Sequence, residues 1–232
     1  MEEWEALKSL LCFTPQVLTG IDSVNSPKNP QYHLSEIRAV ILAAGLSSRM
    51  KSTIPKMFHP LGGIPLFQHI TRQVSALISD PPVLVVSPLT KNFANVLATR
   101  SNYVLQKRPS GTGDAVLATR ALLEGNSEHL FVAYGDTPLV TQASLKRLLA
   151  HHSKTEADIT FLTATNGPRS GMGRVLRNPD GRVKSIIEER QASREQLALK
   201  EVNGGIYCFR TRRLWSLLEK LPTASNGESQ LT

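Results

Sequence analysis

Residues 37–45 read Ile-Arg-Ala-Val-Ile-Leu-Ala-Ala-Gly, and this stretch restricts the fold more than any other. From Ala39 to Leu42 the side chains are all apolar and partly β-branched. A strand with one wet face would alternate, so this run predicts a strand buried on both faces, as in a parallel sheet. The run stops at Ala43, Ala44 and Gly45, where small side chains let another molecule approach the main chain and glycine can take backbone angles closed to other residues. Ser47 and Ser48 then add hydroxyls and amide groups, and Arg49 and Lys56 add two cations, with Pro55 stiffening the chain beside the second. Exposed N–H groups and fixed positive charge after a buried strand suit a polyphosphate. Taken alone, the same stretch also fits an ordinary strand-to-helix turn with solvated charges.

A parallel strand needs crossover helices, and the chain supplies the pattern. Pro65–Ser79 predicts an amphipathic helix with Leu66, Ile70, Val74 and Leu77 on one stripe. Strands follow at Val83–Val86, Tyr103–Gln106, His129–Tyr134 and Asp158–Thr165. Helices are expected at Asn92–Arg100, Gly113–Leu123 and Gln142–His152. Arg174–Arg177 and Arg182–Ile187 flank Asn178-Pro-Asp-Gly181, a turn sequence that predicts a β-hairpin. Glu201–Phe209 resumes a strand and Thr211–Leu221 a helix. The expected class is α/β, a mainly parallel sheet with helices on both faces and a small inserted hairpin. Residues 1–36 form an N-terminal extension: Trp4, Leu7, Leu10, Leu11 and Phe13 could make one face of a short helix, and Pro27 and Pro30 mark a linker. Residues 37–232 are expected to be the main domain.

Composition narrows the partners. The 232 residues are 41% hydrophobic and 20% charged, as in a soluble globular chain. No apolar run approaches the roughly 20 residues of a membrane helix. Glu2, Glu3 and Glu5 stand where a secretory signal would be positive. Cys12 and Cys208 make neither a disulfide framework nor a metal site, which predicts a reducing, cytoplasmic setting. Residues 1–36 carry two lysines against five acids, so residues 37–232 carry 25 basic against 14 acidic groups. That surplus suits polyanionic small molecules; because the basic residues are scattered, it argues against a nucleic-acid arm.

Ligands of open α/β sheets bind beyond the carboxyl ends of the strands. No Gly-Lys-Ser or Gly-Lys-Thr occurs, so there is no P-loop. Gly111-Thr-Gly113 lacks the third glycine of a dinucleotide fingerprint. Gln106, with Gly111, Thr112 and Gly113 after it, offers a side-chain amide able to read the imide edge of a pyrimidine, although Gly-Thr-Gly is also a common helix start. Tyr134-Gly-Asp136-Thr-Pro138 ends a strand with a carboxylate that could hold a hard, water-retaining cation, or simply cap a turn. Gly171-Met-Gly173-Arg174, Ile187-Glu188 and Glu201-Val-Asn203-Gly-Gly205 are each, singly, a loop, a solvated carboxylate and a turn. His151 and His152 show no metal spacing and are expected at the surface.

Leu42-Ala-Ala-Gly45, Arg49-Met50 and Pro55-Lys56 resemble the signature of the sugar-nucleotide pyrophosphorylases, and the later segments resemble the N-acetylglucosamine-1-phosphate uridylyltransferases among them. The resemblance covers residues 37–232. It implies a Rossmann-like core with a smaller sugar-binding β region inserted. The reaction it implies joins UTP and N-acetylglucosamine 1-phosphate to give UDP-N-acetylglucosamine and pyrophosphate. Arg49 and Lys56 would be catalytic, the first on the leaving pyrophosphate and the second on charge over the phosphates. Asp136 would hold Mg²⁺. The substrate-binding set would be Leu42, Ala44, Gly45, Gln106, Gly111, Thr112 and Tyr134, with Gly173, Glu188 and Asn203 on the sugar. Glu189 is an alternative to Glu188. Partners would be UTP and a sugar 1-phosphate, without nucleic acid or membrane, in an undetermined oligomeric state.

There are departures. Ala224 stands where the family closes its metal site with asparagine, before Gly227-Glu228, and Ser229 and Gln230 replace tyrosines. The chain stops at Leu231-Thr232 inside a continuing motif, which predicts a longer protein; the hexapeptide repeats of an acetyltransferase domain are absent from these residues. Another sugar or base remains open, as does a nucleotide-binding remnant or a basic nucleic-acid binder.

Overall fold

The structure, a computed structural model, describes residues 37–45, 50, 52–93, 102–108, 110–165 and 170–221. Expectations for residues 1–36, for Ser47, Ser48 and Arg49, for the helix beyond Phe93 and for Ala224 to Gln230 fall outside the described residues.

The elements in chain order are β1 (Ile37–Leu42), β2 (Pro60–Leu61), β3 (Ile64–Pro65), α1 (Leu66–Ser75), β4 (Val83–Val86), β5 (Tyr103–Leu105), α2 (Thr112–Leu117) and α3 (Arg120–Leu123). Then come β6 (His129–Tyr134), α4 (Gln142–Thr155), β7 (Ile159–Ala164), β8 (Arg174–Arg177), β9 (Val183–Ile187), α5 (Arg194–Leu197), β10 (Val202–Arg210) and α6 (Thr211–Leu218). The chain divides into a larger compact unit, within His33–Arg147 and Phe209–Leu231, and a smaller one within Leu148–Cys208. The α/β class expected from the sequence is the class observed.

In the larger unit the strands run in the order β5-β4-β1-β6, all parallel. Every residue of β4 is buried, and so is all of β1 except Arg38, which is why both read as unbroken apolar runs. The buried stripe of α1 is Phe67, Ile70 and Val74, continued by Ile78. It is rotated from the expected stripe, because Phe67 rather than Leu66 faces inward and packs on Phe58 with ring centroids 5.1 Å apart. The helix also ends early, at Ser75. A short hairpin, β2–β3, turns on Gly62 and Gly63 at φ 59° and 79°. Two successive positive φ values define the turn that two glycines favour. The expected helix over Gly113–Leu123 is two pieces, since the Thr119 hydroxyl donates back to the Val116 carbonyl at 2.7 Å and competes with the helical ladder.

In the smaller unit β8 pairs antiparallel with β9 and with β10, and β7 pairs β10. The Asn178–Gly181 turn forms as expected: Gly181 takes φ 82° and Asn178 N–H donates to the Arg182 carbonyl at 2.8 Å. Arg177 grips Glu201 through two nitrogens at 2.7 and 2.8 Å. Burial would raise the Glu201 carboxyl, but hydrogen bonds from Arg177 and Thr163 and the charge of Arg177 outweigh it and hold it below the ordinary value. The expectation of two surface histidines is corrected. His152 is only 2% exposed, its Nδ1 is 2.8 Å from the Thr160 hydroxyl, and His151 is half-buried. The α4 face that carries Leu148 and Leu149 extends one turn further and takes His152 inward, where a hydroxyl satisfies it. Cys208 is fully buried, and burial pushes its thiol far up, which leaves it inert.

Candidate active site

Parallel register brings the strand ends of the larger unit level. Leu42 lies opposite both Val85 and Tyr134. Three hydrogen bonds then lock the exits: Ala43 N–H to the Val85 carbonyl at 2.9 Å, Gly135 N–H to the Leu42 carbonyl at 2.9 Å and Gln106 N–H to the Val86 carbonyl at 2.8 Å. The Ala43–Gly45 loop, Gln106 and the Gly135-Asp136 turn therefore all leave from one carboxyl edge.

Ala43 and Ala44 are buried, and Gly45 is exposed. Gly45 is not among the glycines with positive φ, and among the described residues a Cβ built there meets nothing within 4 Å. A positive φ is thus not what requires glycine here, a correction to the sequence expectation; no described residue crowds a side chain at this position. Gly135 is the opposite case. A Cβ there would lie 3.0 Å from the Leu42 carbonyl oxygen and 3.2 Å from both Met57 Sδ and Phe67 Cβ. Glycine before Asp136 lets β6 exit tight against β1 and fixes where the carboxylate points.

Lys56 opens a 3₁₀ turn, Lys56–Phe58, whose Met57 and Phe58 are buried. That anchor aims the lysine, whose Nζ donates to Asp136 Oδ2 at 2.8 Å across 80 residues of sequence. The two side chains keep 41% and 27% of their surface, so the pair contributes little to stability. Its meaning is positional: a cation and a carboxylate held together beside the small-residue loop.

Gln106 is 3% exposed, and its Nε2 donates to the Gly111 carbonyl at 3.0 Å and to Asp114 Oδ2 at 2.7 Å. Gly111 sits at φ 100° as it caps α2, a conformation reserved for glycine. Thr112 and Tyr134 are half-buried at the same edge and Leu42 is buried. The sequence reading passed over Asp114, and the signal for it, a carboxylate three residues past Gly111, resembles any first-turn acid. It also passed over Ser87 and Thr90, whose buried side chains and amides bond reciprocally and stiffen the exit of β4.

The smaller unit gathers its expected residues too. Asn203 N–H donates to the Gly173 carbonyl at 2.9 Å. A Cβ on Gly173 would lie 3.0 Å from Ile186 Cγ2 and 3.4 Å from Glu188 Oε1, so Glu188 lies directly over Gly173. Glu189 is engaged elsewhere, accepting from Gly171 N–H and pairing with buried Arg174 at 3.6 Å. Of the two carboxylates, Glu188 is the one beside Gly173. Asn203 is buried; its Nδ2 donates to the Tyr207 hydroxyl and its Oδ1 accepts from Gly205 N–H at 3.2 Å.

No group of three or more metal-binding side chains occurs among the described residues. The single carboxylate of Asp136 fits a hard cation that keeps its waters and takes its other oxygens from phosphate, rather than one needing an all-protein cage. No helix among the described residues is long and apolar enough to cross a membrane.

A parallel sheet that gathers close-approach backbone, a cation and a carboxylate at its carboxyl edge defines a nucleotide-handling α/β domain. The chain belongs to the MobA-like NTP transferase domain family, which it matches over residues 39–232, and is an enzyme of the nucleotidyltransferase class. It is 40% identical over 195 residues to the bifunctional protein GlmU of Streptococcus pyogenes serotype M12 (strain MGAS2096), covering 84% of this chain and 47% of that protein. The bifunctional protein GlmU of serotype M5 (strain Manfredo) is likewise 40% identical over 195 residues, with 84% and 42% covered. The chain thus spans about half the length of the curated relatives it matches. A crystal structure of UDP-glucose pyrophosphorylase complexed with UDP-glucose shares the fold, with TM-score 0.65, 20% identity and 83% of each chain covered.

Proposed function

We propose that this chain is a uridylyltransferase that joins UTP to N-acetylglucosamine 1-phosphate, giving UDP-N-acetylglucosamine and pyrophosphate. The observation that carries the proposal is the Lys56–Asp136 pair at the carboxyl edge, 2.8 Å apart and level with the Ala43–Gly45 loop. In this reading the triphosphate lies beside the small side chains of the Ala43–Gly45 loop. The sugar phosphate oxygen attacks the α-phosphorus in line, the bond to the bridging oxygen breaks, and pyrophosphate leaves with the electron pair. Such a reaction is accelerated by positioning and charge neutralisation rather than by a covalent intermediate. Lys56 neutralises phosphate charge, and Arg49, outside the described residues, would hold the leaving group. Mg²⁺ on Asp136, when bound, would screen the phosphate oxygens. Gln106, with Leu42, Ala44, Gly111, Thr112 and Tyr134, would form the nucleotide side. Gly173, Glu188 and Asn203, tied together in the smaller unit, would hold the sugar. The setting is cytoplasmic, where these substrates occur. Residues 1–36 would be an appendage to a transferase domain spanning 37–232.

The test is pyrophosphate release from each common nucleoside triphosphate with N-acetylglucosamine 1-phosphate and Mg²⁺. Release with UTP, abolished by Asp136→Ala, supports the proposal. If no triphosphate reacts while UTP still raises the melting temperature, the chain is a nucleotide-binding module, and the substitution at Ala224 becomes the first place to look for lost catalysis.

A further inference from the structure

We propose that Asp114 is a positioning residue that sets the base choice of this protein by fixing which end of the Gln106 amide a pyrimidine meets. The proposal rests on the uridylyltransferase reading and adds to it the residue that makes Gln106 selective. A glutamine amide is ambiguous, since its oxygen accepts and its nitrogen donates, and a half-turn about the last side-chain bond exchanges them. Here the surroundings remove the ambiguity. Both groups facing Nε2 are acceptors, the Gly111 carbonyl at 3.0 Å and Asp114 Oδ2 at 2.7 Å. Turning the amide would point Oε1 at two oxygens and lose both bonds, inside a site where the side chain is 3% exposed and water cannot compensate. The backbone is equally fixed, because Gln106 N–H donates to the Val86 carbonyl at 2.8 Å and Gly111 is held at φ 100° as it enters α2.

With both amide hydrogens engaged, Oε1 is the end left to a base. Uracil presents an N–H at ring position 3, which an acceptor oxygen satisfies. Cytosine presents a lone pair there, which the same oxygen repels. An amide locked in this orientation favours uridine nucleotides over cytidine nucleotides, and one free to turn could serve either. Asp114 supplies the removable half of the lock, because the other half is backbone. A bland account is that Asp114 is only a carboxylate in the first turn of α2, favourable to the helix dipole. That account predicts a change in stability without a change in selectivity.

The experiment measures Kd for UTP and CTP by titration calorimetry, with melting temperatures, for the wild-type chain, Asp114→Ala and Asp114→Asn. The expected result is a UTP-over-CTP ratio that falls about tenfold or more in Asp114→Ala, with CTP binding gained or held. Asp114→Asn, which preserves size but can turn either an acceptor or a donor toward Gln106, should fall between. It keeps the test decisive if the alanine variant folds poorly. Equal losses for UTP and CTP, or an unchanged ratio in both variants, overturn the role of Asp114 while the reading of Gln106 stands. A wild-type chain that does not prefer UTP overturns that reading, and this inference with it.

Discussion

The two units hold their candidate residues in different ways. In the larger, the sheet does the positioning: strand register and three backbone hydrogen bonds bring the exits level, and Lys56 and Asp136 are half-exposed side chains that the core does not need. In the smaller, the candidate residues are themselves structural. Asn203 bonds at both ends of its amide, Glu189 ties Gly171 to Arg174, and Glu188 packs over Gly173. A buried parallel sheet separates scaffold from chemistry, whereas a short hairpin region has too little core to do so and uses polar side chains as its fasteners. Substitutions at the half-exposed pair of the larger unit should therefore cost function with little stability, and substitutions at the polar fasteners of the smaller unit should cost stability first.

The largest expected effect tests the first half. Asp136→Ala should lower kcat by about a thousandfold, the scale of removing a group that organises charge in the transition state. Its melting temperature should barely change, because the broken pair is solvated and worth about 1 kcal/mol or less. A collapse in stability instead would show that Asp136 holds the fold, and the distinction between the units would fail. The counterpart is Arg177→Ala. It takes the guanidinium from Glu201, whose side chain is only 15% exposed, and leaves it the Thr163 hydroxyl; it should cost about 2 kcal/mol, below the 3–5 of a fully buried pair because both partners keep some water. Denaturant unfolding measures the loss, and activity well below the new melting temperature should survive.

A pair of glycines sharpens the contrast within the larger unit. Gly135→Ala drives a methyl to 3.0 Å from the Leu42 carbonyl and should cost about 1–3 kcal/mol through overpacking. Gly45→Ala meets none of the described residues and needs no special φ, so stability should stay within about 0.5 kcal/mol. Triphosphate binding should nevertheless weaken, since the methyl occupies the space left beside the main chain. Thermal melts with and without UTP separate the two outcomes.

Much of the strand pattern was legible in the sequence. The unbroken run Ala39–Leu42 located the central strand, and His129–Tyr134 and Val83–Val86 fell where they were expected, because a strand buried on both faces leaves a signal in composition alone. Gly173, Glu188 and Asn203 were named from motif order and do come together. What stayed hidden depends on orientation. The stripe of α1 turned by a residue because Phe67 outweighs Leu66 in the core, and the Gly62-Gly63 hairpin is too short to show a strand period. Asp114 was invisible because its role exists only once Gly111 turns the chain and brings it against Gln106. His152 looked like half of a surface pair; one turn of helix geometry put it in the core.

The smallest effect is a pH dependence seated in the smaller unit. His151 is held below its ordinary value of 6.5, first by burial and then by the charge of Lys154. Its Nε2 is buried and has no hydrogen-bond partner among the described residues, so a proton there would add a charge that none of them receives. The folded state thus binds this proton more weakly than the unfolded chain does. The stabilisation is complete above pH 6.5 and is lost as pH falls through the depressed value. Glu201 has the same sign in a more acidic window: its stabilisation is present above 4.5 and is lost as pH falls below that. The melting temperature of the wild-type chain should therefore decline in two stages on acidification. His151→Gln should flatten the first stage and leave the second, and Arg177→Ala should remove the second and leave the first. If both variants instead retain the wild-type profile, acid acts on the larger unit, and the smaller is not the more fragile part of the molecule.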